Sequence, residues 1–371
     1  MEQIRYLRQE EKQNTRQMYE AIFSEDSKSF IDYYYQWKTR DNQILVMEDN
    51  KGYEVMIHLN PYTVCINGKK AEIPYIVAVA TRPDCRRKGK MQQVMKRALQ
   101  DLQRVQCPFT FLLPADPAYY YGQDFVFSSQ HQKNAVKCQS TMNCQKIAEG
   151  SDTEKCSNTE KNLNTEKCPN TVMEWNSIPF EDVNHLQMQQ AAEIANAILS
   201  EQYDVYVQRD AAYYERLLEE TASEHGRVLL IKEKEQFAGI LAYGGEEQAE
   251  IKEFLLFSQY EERRSEICNH VFGIGSWKEE EMRMMIRIAD LQSWDGLLKG
   301  EPEVLTAVVT DSMVEANNGI WRLEWNPQGG SVTKLADTES VAEAEKIRYM
   351  DIVQLTEKLV EKLSIFIQEW V

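Results

Sequence analysis

The residues best able to do chemistry in this 371-residue chain stand in one short run, Arg86-Arg87-Lys88-Gly89-Lys90-Met91. Cations around a glycine suit an anion such as a diphosphate, because glycine lets backbone amides approach closely and the cations neutralise the charge. A solvated basic turn is the plainer reading of the same residues, and only their neighbours can decide between the two. The second candidate is Tyr119-Tyr120-Tyr121, followed by Gly122-Gln123-Asp124-Phe125. A phenol of ordinary pKa near 10 can hand a proton to a leaving thiolate of pKa about 8.5. Three tyrosines together also suit plain packing at a domain seam. The five histidines (His58, His131, His185, His225, His270) occupy no motif position, so no histidine base is advertised. Eight cysteines include no C-x-x-C, and the loose group from Cys138 to Cys168 has only His131 nearby. Reduced thiols and no metal are the expectation. Cys85, the one cysteine near the basic turn, lacks a visible activating histidine, which argues against a cysteine acyl-enzyme.

The elements around the turn favour the anion reading. Ile76-Val77-Ala78-Val79-Ala80 fits a short buried strand, ended by Thr81-Arg82-Pro83. Beyond Gly89, apolar Met91, Val94, Met95, Ala98, Leu99 and Leu102 fall on one face of a helix. A second buried strand, Phe109 to Leu113, follows Pro108. Strand, basic glycine turn, helix and strand form a β-α-β unit with the turn at the carboxyl end of its first strand.

Composition sets wider bounds. At 43.3 kDa, with 43% hydrophobic and 27% charged residues, the chain is expected to fold as several globular domains. The formal charge of -17 disfavours nucleic acid and anionic lipid and favours a cationic small molecule or a lysine-bearing peptide. No stretch approaches a membrane span and the charged start lacks a signal-peptide core, so a soluble, cytoplasmic protein is expected. The clearest boundary is Ser151 to Thr171, where Asp152-Thr153-Glu154-Lys155, Asn158-Thr159-Glu160-Lys161 and Asn164-Thr165-Glu166-Lys167 repeat with almost nothing to bury.

Upstream, helical periodicity at Met18, Ile22 and Phe23 gives way to strand-like runs at Gln43–Met47, Tyr53–Leu59, Tyr62–Asn67 and Lys70–Pro74. Downstream, helices are expected over Gln187–Gln202 and Tyr213–Glu224. A meander follows at Val228–Lys232, Gln236–Tyr243 and Ala249–Phe257, and then a helix over Glu261–Val271 with no basic glycine turn before it. Strands are expected at Met285–Ala289, Val304–Thr310 and Ile320–Trp325, then a helix from Ile352 to Leu363 and a terminal apolar strand reaching Val371.

The block Val77, Val79, Arg86, Arg87, Gly89 and Met91 resembles the acyl-CoA-binding motif of GNAT N-acetyltransferases, V-x-V-x-x-x-x-x-R-R-x-G-x-(small or apolar). The resemblance implies that Val79, Ala80 and Thr81 hold the acetyl and pantetheine end of acetyl-CoA, the acyl donor. It implies that Arg87, Lys88, Gly89, Lys90, Met91 and Gln92 hold the pyrophosphate, with Arg86, Ala115 and Asp116 also along the cofactor. It further implies a catalytic tyrosine before Phe125. The spacing selects Tyr120, and Asp124 in place of the commoner glycine keeps Tyr121 open.

The whole layout is similar to the Eis group of acetyltransferases. That similarity implies an α/β (α+β) fold: a catalytic GNAT domain over 1–150, a polar linker over 151–171 and a degenerate GNAT-like domain over 172–282. A sterol-carrier-protein-like α/β domain would span 283–371. It also implies a homo-oligomer, with the hexamer of the group as the expectation, and a terminal carboxylate, here that of Val371, acting as general base. Burial would lift that carboxyl from its ordinary pKa of about 3.3 to 3.7 toward a useful value. The reading is N-acetyl transfer, in a ternary complex, to a primary amine of an aminoglycoside-like or polyamine-like cation, or to a lysine. The alternative is a non-catalytic sensor or scaffold for acyl-CoA or an apolar ligand.

Overall fold

The computed structural model describes residues 3–128, 132–138, 180–184, 186–245, 249–273, 277–336, 346–367 and 369. The polar repeat, the cysteines from Cys144 to Cys168 and Val371 lie outside them. The chain opens with strand β1 (Gln3–Tyr6), helix α1 (Arg16–Ile22) and helix α2 (Lys28–Trp37). α2 begins where the Ser27 hydroxyl accepts the Phe30 amide at 3.1 Å, and it buries Phe30, Ile31 and Tyr33 to Tyr35. The periodic signal at Met18 and Ile22 marks α1 alone. α2 hides in the sequence because its core side is mostly tyrosine.

Strands β2 (Gln43–Asp49), β3 (Gly52–Ile66) and β4 (Lys69–Thr81) run antiparallel in sequence. The expected breaks inside β3 and β4 do not occur, because Pro61 and Pro74 face each other across the ladder. Alternate pairs of an antiparallel ladder turn their N–H groups outward, so two facing prolines remove no bond between these strands. Helix α3 (Lys90–Arg104) then lays Val94, Met95, Ala98, Leu99 and Leu102 on the sheet, the face its periodicity requires. Strand β5 (Phe109–Leu112), helix α4 (Ala118–Tyr121) and strand β6 (Val126–Phe127) complete the local unit.

Strand β7 (Gln132–Cys138) leaves this sheet for a second one, with β8 (Phe180–Asp182), β10 (Arg227–Glu233), β11 (Gln236–Gly244), β12 (Glu250–Leu256) and β13 (Trp277–Met282). Helices α5 (Met188–Gln202) and α6 (Ala211–Ser223) pack on it through Ala191, Ala195, Ile198, Tyr214 and Leu217, and α7 (Arg264–Phe272) follows β12. Between α5 and α6, β9 (Val205–Val207) pairs instead with β3 of the first sheet. Strand β14 (Met285–Ile288) returns to that first sheet and lies between β5 and β6. A four-stranded sheet of β15 (Glu303–Thr310), β16 (Gly319–Trp325), β17 (Ser331–Leu335) and β18 (Ile347–Asp351) precedes α8 (Ile352–Val360) and β19 (Ile365–Phe366). Sheet membership therefore crosses the boundaries expected from sequence at 150 and 283. β7 joins the second sheet, and β14 and β19 join the first. Chain order alone does not say which edge a strand completes.

Under α1 and α2 the imidazole of His58 is fully buried, its Nδ1 2.9 Å from the Tyr34 hydroxyl and its ring among Tyr19, Tyr34 and Tyr35. Burial first, and the Lys12 ammonium second, push its pKa down to about 3. An unfolded histidine takes up its proton near pH 6.5. Between those two values the unfolded chain binds more protons, so stability falls as pH drops through the window, by about 1.4 kcal/mol per unit. Unfolding midpoints of wild type and His58→Asn compared between about pH 4 and pH 7 should show a shallower slope in the variant. Equal slopes would assign the acid sensitivity to other groups.

Candidate active site

β4 runs parallel to β5 only over Tyr75 opposite Phe111 and Ile76 opposite Leu112. Past Ile76 the two strands part for a local reason. Met56 of β3 faces Ala80 and His58 faces Val77, so β4 spends one extra residue, and Ala78 takes a left-handed φ of 49°. Such a bulge bends and twists its strand. β5 meanwhile ends at Leu112, before Pro114. Among the described residues, the edge of Val77 to Thr81 that would have faced β5 therefore has no strand partner. Val79, Ala80 and Thr81, the expected pantetheine-binding residues, lie along this open edge. Its amides and carbonyls can take an extended amide-bearing chain as one more strand.

The basic turn leads from that edge into α3. Gly89 is the N-cap, with φ 72° and ψ 6°, and no side chain caps the helix. The early amides of α3, at Met91 and Gln92, thus keep their N–H groups and the positive helix end open to an anion. Arg87 is also left-handed, at φ 60°. The cations behave unequally. The Arg86 Nε donates to the Thr81 carbonyl at 3.1 Å, Lys88 Nζ to the Asp84 carbonyl at 2.7 Å, and Lys90 Nζ to Glu54 Oε1 at 2.5 Å. Arg87 is exposed and makes no hydrogen bond or ion pair among the described residues. Met91 packs against the core, and Gln92 is exposed.

Ala115 and Asp116 lie exposed on the loop after β5, where Asp116 Oδ1 accepts the Ala118 amide at 2.9 Å and so starts α4. In α4 the three tyrosines separate: Tyr119 is 62% exposed, Tyr121 57% and Tyr120 7%. Tyr120 turns inward against Phe125, edge to face at 6.0 Å, and burial pushes its pKa up to about 12, with Tyr119 adding a little. Among the described residues nothing hydrogen-bonds its hydroxyl. Asp124, at the position where glycine is commoner, does adopt the glycine-like conformation, φ 63°. Arg287 explains the exchange: from β14 its Nη2 reaches Asp124 Oδ2 at 3.4 Å, while its Nε donates to the Gln123 carbonyl at 3.0 Å. The guanidinium is wholly buried and is anchored on Asp311 at 2.7 Å. Sequence reasoning missed Arg287, and no local signal could have found a partner 163 positions away.

The expected base, Val371, lies outside the described residues, but the approach to it is firmly held. β19 pairs in parallel with β9, which pairs with β3. Three residues past β19, Glu369 is 4% exposed and meets Arg209 Nη1 at 3.0 Å, while Arg209 Nε meets Glu253 Oε2 at 2.7 Å. Burial raises the Glu369 pKa and Arg209 opposes the rise.

Residues 3–127, the first third of the chain, match the acetyltransferase (GNAT) domain model. The whole fold is shared with solved structures. A conserved protein of unknown function from Enterococcus faecalis superposes with TM-score 0.67 at 17% identity, over 98% of this chain and 94% of that one. A GCN5-related N-acetyltransferase from Anabaena variabilis gives 0.63 at 17%, over 98% and 94%. Eis1 from Mycobacterium abscessus gives 0.60 at 11%, over 97% and 89%. No curated protein matches the chain. Among the described residues no helix is long and apolar enough to cross a membrane.

Proposed function

We propose that this chain is an acetyl-CoA-dependent N-acetyltransferase that moves acetyl directly to a primary amine. The observation that carries the reading is the continuity of an open β4 edge with an uncapped helix start. Val79, Ala80 and Thr81 hold the pantetheine, and the amides from Arg87 to Gln92 hold the diphosphate. Ala115 and Asp116 border the donor on the loop after β5. The amine nitrogen attacks the thioester carbonyl, the C–S bond breaks, and the Tyr120 hydroxyl gives its proton to the departing thiolate. The Val371 carboxylate takes the proton shed by the amine. A cysteine acyl-enzyme is a poor competitor, because burial and then Glu54 raise the pKa of the Cys85 thiol.

The acceptor class we favour is a cation of aminoglycoside or polyamine type, or a lysine, drawn by the net charge of -17. The second unit is taken as structural, since the turn before α7 has no basic glycine run. The last unit is taken as sterol-carrier-like, and the assembly as a cytoplasmic homo-oligomer of up to six chains in the pattern of the Eis group. Thiol release from acetyl-CoA, measured with a polyamine, an aminoglycoside and a lysine peptide, tests the activity. Binding of CoA without release for any amine would replace the enzyme by a sensor. A chain extended by one glycine after Val371 should lose most of its turnover, and full activity would remove Val371 from the mechanism.

A further inference from the structure

Glu54 has no part in the chemistry above, yet it is 3% exposed directly beneath the turn that the proposed function gives to the diphosphate. It sits on β3, one residue before the Val55–Thr81 pair that closes the ladder with β4. Its Oε1 is 2.5 Å from Lys90 Nζ, accepts the Cys85 thiol at 3.4 Å and lies 3.8 Å from Arg82 Nη2. The Glu54 carbonyl accepts the Arg82 amide at 2.9 Å. One buried side chain therefore touches the start of the turn, its middle and the first residue of α3.

The placement solves an electrostatic problem. Lys90 is a cation in the first turn of a helix, where the dipole repels it. Free, it would also compete with the amides for the anion and pull the turn toward itself. Paired with Glu54, it becomes a tether. Arg82 is held likewise by Asp84 Oδ1 at 2.7 Å and Asp49 Oδ2 at 3.5 Å, and Arg86 and Lys88 are bound to backbone carbonyls. Most of the turn's positive charge thus shapes the turn, and the grip on an anion falls to amides and Arg87. We propose that Glu54 is a positioning residue that holds the diphosphate turn in its binding shape through Lys90. This inference rests on the acyl-CoA reading and deepens it.

The test compares two donors in the full chain: acetyl-CoA, and S-acetyl-N-acetylcysteamine, a thioester without a nucleotide diphosphate. Glu54→Gln should raise KM for acetyl-CoA about tenfold, leave kcat at saturation within about twofold, and leave kcat/KM for the short thioester unchanged. Lys90→Met removes the other partner and should raise KM for acetyl-CoA by a similar factor, which keeps the idea testable if Glu54→Gln folds poorly. Equal losses on both donors, an unchanged KM, or a lower KM as Lys90 is freed for the phosphates would each overturn the latch. If wild type turns over neither donor, the acetyltransferase reading fails instead. CoA binding by calorimetry then still reads the latch, a drop of about tenfold in Glu54→Gln supporting it and equal affinity overturning it.

Discussion

Replacing Tyr120 by Phe is expected to lower kcat by about 10²- to 10³-fold while leaving KM for acetyl-CoA nearly unchanged. The phenol keeps its proton at any ordinary pH, because burial has raised its pKa to about 12. It is therefore always charged with the proton that the CoA thiolate needs, and losing it exposes the full cost of expelling that thiolate unprotonated. The deficit should shrink with an aryl thioester, whose leaving group is stable without a proton. Tyr121→Phe is the control. That ring is exposed and edge-on to Phe127 at 6.3 Å, and its loss should be nearly silent. The alkaline limb that Tyr120 contributes to kcat should fall near pH 12, since the acid works only while protonated. Steady-state kinetics on the two variants decide the assignment, and a Tyr120→Phe enzyme at full rate would end it.

The largest expected effect on stability belongs to Arg209. Its guanidinium is 2% exposed, bonded to Glu253 and Glu369, to the Val207 carbonyl at 2.9 Å, and stacked on Tyr213 at 4.1 Å. Arg209→Met would strip two buried carboxylates of the cation that bonds both, leaving Glu369 only the Lys38 ammonium, at a cost of about 3 to 5 kcal/mol. The sign with pH follows from Glu369, whose pKa burial raises. Without Arg209 it would be protonated more readily in the folded chain than in the unfolded one, so the deficit should diminish as pH falls. Adding Glu253→Gln and Glu369→Gln should recover much of the loss, because the penalty lies in the uncompensated charges. Denaturant midpoints of the three chains measure it. A single variant as stable as wild type would show that the cluster contributes nothing net. Activity should suffer in parallel, since the same arginine fixes the tail two residues short of Val371.

The turn at Gly89 is legible in the sequence because its geometry is set locally. A strand, a left-handed glycine and a helix of one phase suffice, and all lie between Ile76 and Leu102. The helix face of α3 was readable for the same reason: its six apolar positions repeat with the helical period. Other features resisted. α2 is hard to see because tyrosines at Tyr33 to Tyr35 weaken an apolar stripe, and the prolines at which the sequence suggests breaks in β3 and β4 face one another in the ladder. In the sequence Tyr120 and Tyr121, the two candidates for the acid, differ only by one position in a count. In the fold they differ by burial, and that difference sets one pKa.

From its residues alone the chain determined a basic glycine turn on a β-α-β unit, a set of candidate phenols and an acidic balance. Each of these depends on composition or on spacing within one or two turns of backbone. The tertiary structure alone decided that Arg287 fastens Asp124, that Arg209 joins Glu253 to Glu369, and that β14 and β19 complete the first sheet. Buried charges find partners by proximity in space, and those partners stand up to 163 positions apart. No local pattern records such pairs, because the cost of leaving a charge unpaired arises only once folding has removed the water.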